Sequence, residues 1–294
     1  MTSPSVLYGL LVLMLLCWSG NYIAAKVVLR EIPALLAMIL RTGVAAVLMI
    51  PIYWWRGRGS AAKWSGREIA TLLGLGIGGT VGNQFFWTLG IARTTVVHSS
   101  MIVATVPVWV LAMAAIIGLE RITLPKVLGI AIALCGVVLL TFSRAAAATR
   151  AASMAGDLLI VLCALFLAGN TAFGKKFQPL SGPIAVTAAG YIGGALLLLP
   201  VFWFGERGFD FSHVSRAAWA GVLYMGAISS VTGYMIYYFT LAHIPASRMA
   251  AFQYLQPVFA SLMAVVLLGE DLTATALAAG GVIFTGVLVT ERFG

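Results

Sequence analysis

A histidine beside two serines, His98-Ser99-Ser100, is the pairing in this sequence that first suggests nucleophilic chemistry. A serine hydroxyl becomes a nucleophile when an imidazole within hydrogen-bond reach takes its proton and a carboxylate orients that imidazole. Neighbouring helical side chains diverge in direction, and no Asp or Glu stands close by, so a triad is rejected. His213 and His243 belong to other regions and add nothing to it. Gly74-Leu75-Gly76-Ile77-Gly78-Gly79 spells the dinucleotide fingerprint GxGxxG, but that motif works only between a strand and a helix. Inside an apolar run it reads as packing, with Gly74, Gly78 and Gly82 forming a smooth helical ridge. Cys17, Cys135 and Cys163 stand singly, without CxxC spacing, and look like small packing residues. No catalytic residue, metal site, disulfide or cofactor is expected, so an enzyme is disfavoured.

The remaining chemistry is recognition. Asn21, Asn83, Gln84, His98, Ser99 and Asn170 interrupt apolar stretches. Burying such a group without a partner costs a few kcal/mol, so each should bond to another helix or face a wet cavity. Gln253, Gln256 and Pro257 share one helical face, whereas the matched residues earlier in the chain are Val103, Val106 and Pro107. An asymmetric polar pair suits a specificity determinant. Tyr234, Tyr237 and Tyr238 form a comparable aromatic face, matched by Phe85 and Phe86, and act either as packing or as a binding wall. Trp18 and Trp87 join these as substrate-binding candidates. Pro107 and Pro257 each remove a helix hydrogen bond near mid-span and free the carbonyl four residues earlier, on Val103 and Gln253. Arg41 is the strong charge well inside a span, eight residues beyond Pro33 and therefore roughly 12 Å deep at 1.5 Å per residue. Its role is either structural, on helix-end carbonyls or a partner of the Glu120 kind, or the holding of a substrate carboxylate.

Such residues must be positioned by membrane helices. Of the 294 residues, 61% are hydrophobic and 9% charged, whereas a soluble domain carries roughly a quarter charged residues. Apolar runs between charge clusters place spans near 6–28, 33–54, 69–91, 96–118, 125–142, 156–175, 183–204, 217–240, 246–268 and 274–290. The first run lacks a basic leader region and is read as a span, not a cleaved signal. With the N-terminus in the cytoplasm, ten Lys/Arg fall on cytoplasmic segments and seven on the other side, which favours both termini inside. The net charge of +9 serves orientation and contact with anionic lipid. Tyr53, Trp54, Trp55 and Trp203 near span ends are interfacial belt residues. A small-molecule substrate and membrane lipid are the expected partners, nucleic acid is not, and a monomer would suffice.

The chain repeats itself at about 150 residues. Gly20-Asn21 with Lys26 recurs as Gly169-Asn170 with Lys175, Pro51-Ile52-Tyr53-Trp54-Trp55 as Pro200-Val201-Phe202-Trp203-Phe204, and Pro107 and Glu120 as Pro257 and Glu270. Each copy holds five spans, so the second must enter the membrane from the opposite side. The expected architecture is an all-α integral membrane protein of ten helices in two inverted five-helix repeats around a central cavity. Residues 1–144 form the first repeat, 145–155 the linker and 156–294 the second. Inverted repeats are a common construction of secondary transporters with a midplane site.

Trp18-Ser19-Gly20-Asn21 with Lys26, Leu40-Arg41, Pro107 with Leu119-Glu120, and Gln256-Pro257-Val258 through Leu268-Gly269-Glu270 carry a family resemblance. On these residues the whole chain resembles the EamA family of the drug/metabolite transporter superfamily, and within it the YddG-type exporters of amino acids. The resemblance implies export of metabolites, amino acids or drugs from a bacterial cytoplasm across the inner membrane.

Spans 1, 3, 4, 6, 8 and 9 should wall a mostly apolar and aromatic cavity that suits neutral or aromatic amino acids. All nine acidic residues lie in loops or at span ends, which points to uniport, exchange or coupling through His98 instead of a buried-acid proton relay. The rival is a membrane-embedded enzyme acting on lipids or small molecules, for which no catalytic constellation is visible. A passive channel is disfavoured by the lack of a charge ring or carbonyl filter.

Overall fold

A computed structural model of the chain describes residues 3–57, 65–94, 99, 102–144, 153–177, 182–259, 262–263 and 274–293. Among the described residues all regular structure is helical. The helices are α1 (Pro4–Val28), α2 (Ala34–Ile52), α3 (Gly66–Ile91), α4 (Val106–Ile116), α5 (Leu124–Arg144), α6 (Met154–Phe177), α7 (Gly182–Val201), α8 (Arg216–His243), α9 (Ala246–Phe252, continued by a 3-10 turn at Gln253–Leu255) and α10 (Ala274–Phe293). Six of them, α1, α2, α3, α6, α7 and α8, are long and apolar enough to cross a membrane within the described residues. Large apolar side chains such as Val47, Ile116, Leu196 and Phe284 lie exposed on the outside of the bundle, where lipid is the solvent. His98, Ser100, Glu270 and most of the expected 145–155 linker lie outside the described residues.

Contacts at the helix ends sort into two sets, as alternating crossings require. On the face that holds both termini, Tyr8 at the start of α1 donates to Glu291 at the end of α10, at 2.7 Å. On the same face Glu120 after α4 meets Lys126 of α5 and Ser247 of α9, and Lys175 at the end of α6 meets the end of α8. On the opposite, far face, Glu31 after α1 bonds Ser215 before α8, and Thr94 after α3 bonds Asp157 in the first turn of α6. Helix α1 thus runs from near to far and α6 from far to near. The two halves are inverted.

The duplication extends to backbone irregularities. α3 contains a nine-residue π-helical stretch, Gly74–Gly82, and α8 contains another of equal length at Tyr224–Thr232, 150 positions later. Five-residue π turns follow α2 and α7, at Tyr53–Gly57 and Phe202–Glu206. π-helical stretches are rare and gather at functional sites, so their recurrence at matched positions marks inherited design. The aromatic clusters of these turns, Trp54 and Trp55 on one face and Trp203 and Phe204 on the other, are exposed where belt residues belong. Even the caps correspond. Ser65 caps α3 in a capping box with Glu68, whereas Ser215, capping α8, has Ala218 at that place and receives its carboxylate from Glu31 of the first repeat.

Helix packing respects the pseudo-twofold. α2 lies against α7, α5 against α10, α3 against α6 and α1 against α8. The glycine ridge on α3 does pack, but not with the four-residue spacing expected of an α-helix, because the π-helical winding turns other glycines inward. Gly76, Gly79 and Gly82 face Gly190, Asn170 and Phe166, while Gly74 and Gly78 open onto free space. A Cβ on Gly76 would stand 2.4 Å from the backbone nitrogen of Gly190 on α7. Gly76→Val should therefore cost about 1–3 kcal/mol by forcing two backbones apart, read as a lower melting temperature, whereas Gly78→Val should leave it nearly unchanged.

Candidate functional site

A small hollow lies between the two repeats. α1 contributes Trp18, Asn21 and Tyr22; α3 contributes Asn83, Gln84 and Trp87; and α6 contributes Cys163 and Leu167. α8 supplies Ser229 and Tyr234, the helix break carrying α9 supplies Gln253 and Gln256, and Val103 stands just before α4. These are the six expected walls. A seventh, α2, enters through Arg41. On α1 and α3, which run toward the far face, the lining residues sit beyond the midpoint of the helix. On α6, which runs the other way, Cys163 and Leu167 straddle its midpoint. The hollow is therefore at mid-depth.

Broken helices shape it. Helix α4 begins at Val106, and Pro107 occupies its first turn, where the missing N–H costs nothing. Pro107 thus sits at a helix start, and the break falls at Ala104 and Thr105, with Val103 turned to the hollow. In the second repeat the 3-10 turn at Gln253–Leu255 precedes Pro257, and Gln253 and Gln256 face the same space. The Gln256 carbonyl accepts from Ser19 of α1 at 3.1 Å, tying the break to the first repeat.

Hydrogen bonds and ring contacts hold the polar side chains in place. Arg41 is 2% exposed, and its Nη2 donates to Ser230 Oγ at 3.0 Å and, at 3.5 Å, to the Met225 carbonyl. Ser230 donates to Gln84 Oε1 at 3.3 Å, and Gln84 Nε2 donates to the Tyr191 hydroxyl at 2.5 Å. Tyr234 donates to Asn83 Oδ1 at 3.0 Å, and Asn83 Nδ2 donates to the Cys163 carbonyl at 3.0 Å. Trp18 donates to the Ser229 carbonyl at 3.2 Å, with its ring 5.3 Å from that of Tyr234. Tyr22 meets Trp87 edge to face at 5.2 Å. The wall is thus aromatic, with amides and hydroxyls between the rings and the Arg41 guanidinium as its charge.

Toward the near face the hollow is closed. Tyr237 and Tyr238 are fully buried, Tyr237 sharing a 2.6 Å hydrogen bond with Thr171 and Tyr238 donating to Asn170 Oδ1 at 2.9 Å. Below them Lys175 Nζ donates to the Leu241 and Ala242 carbonyls at 2.8 and 3.1 Å, satisfying the end of α8. The Glu120 carboxylate accepts from Lys126 at 2.7 Å and from the Ser247 amide and hydroxyl. Burial pushes the Glu120 carboxyl up, but hydrogen bonds from Lys126 and Ser247 and the Lys126 charge together hold it below the usual carboxylate value. Lys26, the repeat counterpart of Lys175, is exposed at the far end of α1.

Of the candidates named from sequence, Trp18, Asn21, Asn83, Gln84, Trp87, Tyr234, Gln253, Gln256 and Arg41 meet at the hollow. Asn170, Tyr237 and Tyr238 are gathered one layer deeper, as its floor. Ser99 is buried away from it. Tyr22, Ser229, Ser230 and Tyr191 were not singled out. The adjacent hydroxyls of Ser229 and Ser230 in mid-span carried the same signal that identified Asn83 and Gln84. Tyr22 and Tyr191 carried none, since one aromatic in an apolar run is indistinguishable from packing.

The profile of the EamA-like transporter family matches the chain twice, over residues 6–142 and 154–292. An "Uncharacterized transporter" of Archaeoglobus fulgidus is 28% identical over 277 residues, covering 94% of this chain and 95% of that one. The "Uncharacterized inner membrane transporter YedA" of Escherichia coli strain K12 is 24% identical over 285 residues, 97% of this chain and 90% of that one. A crystal structure superposes with a TM-score of 0.82 at 19% identity, over 99% of this chain and 98% of that one, a likeness of fold alone. These descriptions point to transport, not catalysis.

Proposed function

Because the chain belongs to the EamA-like transporter family, we propose that it is a secondary transporter exporting small amphipathic metabolites, most simply neutral or aromatic amino acids, by alternating access. One observation carries this reading: a mid-depth hollow at the repeat interface has a layer of buried tyrosines between it and the near face. Two repeats of opposite topology can exchange conformations, which would open the same site to the near face and close the far one. The Arg/Lys distribution supports a near face, with both termini, on the cytoplasmic side of a bacterial inner membrane. The lining fits a ligand with an apolar body and a polar end. No carboxylate lines the hollow among the described residues, in keeping with uniport or exchange.

Counterflow in proteoliposomes tests the reading. Labelled phenylalanine, tryptophan or leucine should accumulate against the same unlabelled compound inside, and failure across that panel would remove the amino-acid assignment. Gln256→Ala should reduce this uptake about tenfold while leaving the melting temperature within a few degrees, since its side chain faces the hollow and its backbone carbonyl bond to Ser19 survives. Unchanged uptake would discredit the cavity map.

A further inference from the structure

Among the described residues Arg41 is a cation without an anion. Its guanidinium is almost fully buried at mid-membrane, and the groups that receive its hydrogen bonds, a serine hydroxyl and a backbone carbonyl, are neutral. Its Nε–H has no acceptor among the described residues. A buried charge left unpaired costs several kcal/mol, so a protein retains one where something else completes it. The rest of the network cannot do so. Ser230 passes its proton to Gln84, and Gln84 uses its own amide on Tyr191, which fixes these groups as neutral dipoles around the cation.

The repeat sharpens the point. The position matched to Arg41 in α7 is Gly190, whose role is backbone packing against Gly76. One half of a pseudo-symmetric cavity thus carries a positive charge and the other half none. Asn21 lines the same hollow, and its Oδ1 is buried without a donor among the described residues. Resting on the transporter reading, we propose that the Arg41 guanidinium is the receptor for a carboxylate on the carried molecule, so that cargo is selected for bearing one, with its amino group and apolar body lying toward Asn21, Trp18 and Tyr22. A guanidinium offers its N–H groups in a planar fork that matches carboxylate oxygens, and a charge-assisted pair is about twice as strong as a neutral one. Cationic and neutral amphiphiles of the same shape would leave Arg41 unpaired and be rejected.

The test is the melting temperature of the full-length protein in detergent with four probes of one shape: phenylalanine, 3-phenylpropionate, phenylalaninamide and phenethylamine. The two carboxylates should raise it in a saturable manner, and the amide and the amine should not. Arg41→Gln should abolish the carboxylate effect. If that variant does not fold, Arg41→Lys, which keeps the charge and loses the fork, should weaken it about tenfold or more. Equal protection by acid and amide, undiminished protection in the variants, or silence of both carboxylates would each overturn the proposal. The amino-acid reading fails separately: no counterflow of any amino acid, alongside protection by 3-phenylpropionate, would discard it and leave the carboxylate receptor standing.

Discussion

Glu120→Ala is expected to destabilise the protein by about 3–5 kcal/mol, because it strands the Lys126 ammonium in a pocket where both side chains are under a tenth exposed. The same change removes the acceptor of the Ser247 amide and hydroxyl, so the first turn of α9 loosens with it. Glu120→Ala with Lys126→Ala should be less damaging than the sum of the two single changes, since the second removes the stranded charge. Thermal melting of the four proteins in detergent measures this, and strict additivity would contradict a paired role. The pH dependence has a definite sign. The folded Glu120 carboxyl titrates below its ordinary value of 4.5, so its contribution is complete above that pH and disappears as pH falls through the lower folded value. Acid should therefore erase the difference between the wild type and Glu120→Ala, and raising the pH from 6 to 8 should not.

The position of that pair gives it a second consequence. It joins α4, α5 and α9 on the near face, and under the proposed alternating access those helices would separate when the hollow opens there. Glu120→Gln keeps the shape and weakens the tie. An engineered Thr240→Cys, buried beneath the tyrosine floor, should then react faster with a maleimide supplied from the near side than it does with Glu120 intact.

Tyr237→Ala is the other large effect. Its phenol is fully buried between the hollow and the near face, 5.6 Å from the Trp18 ring and 5.2 Å from that of Tyr238. Truncating a buried aromatic costs about 3–5 kcal/mol, and here the cavity left behind would connect the hollow with the space under it. Downhill leakage of solute should therefore rise as exchange falls. Tyr237→Phe separates the two roles of the side chain. It retains the ring and loses the bond to Thr171, for about 1 kcal/mol, and should keep the barrier closed. A Phe variant that leaks as much as the Ala variant would show that the hydroxyl, and not the ring, makes the seal.

Much of this arrangement was legible before any coordinates. Hydropathy dictates spans, since a continuous apolar run of about 20 residues satisfies its backbone in lipid as a helix, and an odd number of spans per repeat dictates inversion. The order of Gly20-Asn21, Pro51, Pro107 and Glu120 with their counterparts exposed the duplication, and mid-span polar residues identified most of the hollow's wall. The misreadings have local causes. The ridge Gly74, Gly78, Gly82 assumed 3.6 residues per turn in a stretch that winds as a π-helix, and Pro107 was expected in mid-helix but begins one.

By itself, then, the sequence determined that this chain crosses the membrane repeatedly as two opposed copies and that its few buried polar groups converge between them, because both follow from the cost of polar atoms in lipid, which is additive along the chain. Only the tertiary structure decided which of those groups face the hollow and which form its floor, that Glu31 of one repeat completes the cap of the other, and that Arg41 meets no anion among the described residues. Those outcomes depend on distances between residues that are 63 to 237 positions apart, which a one-dimensional pattern does not encode.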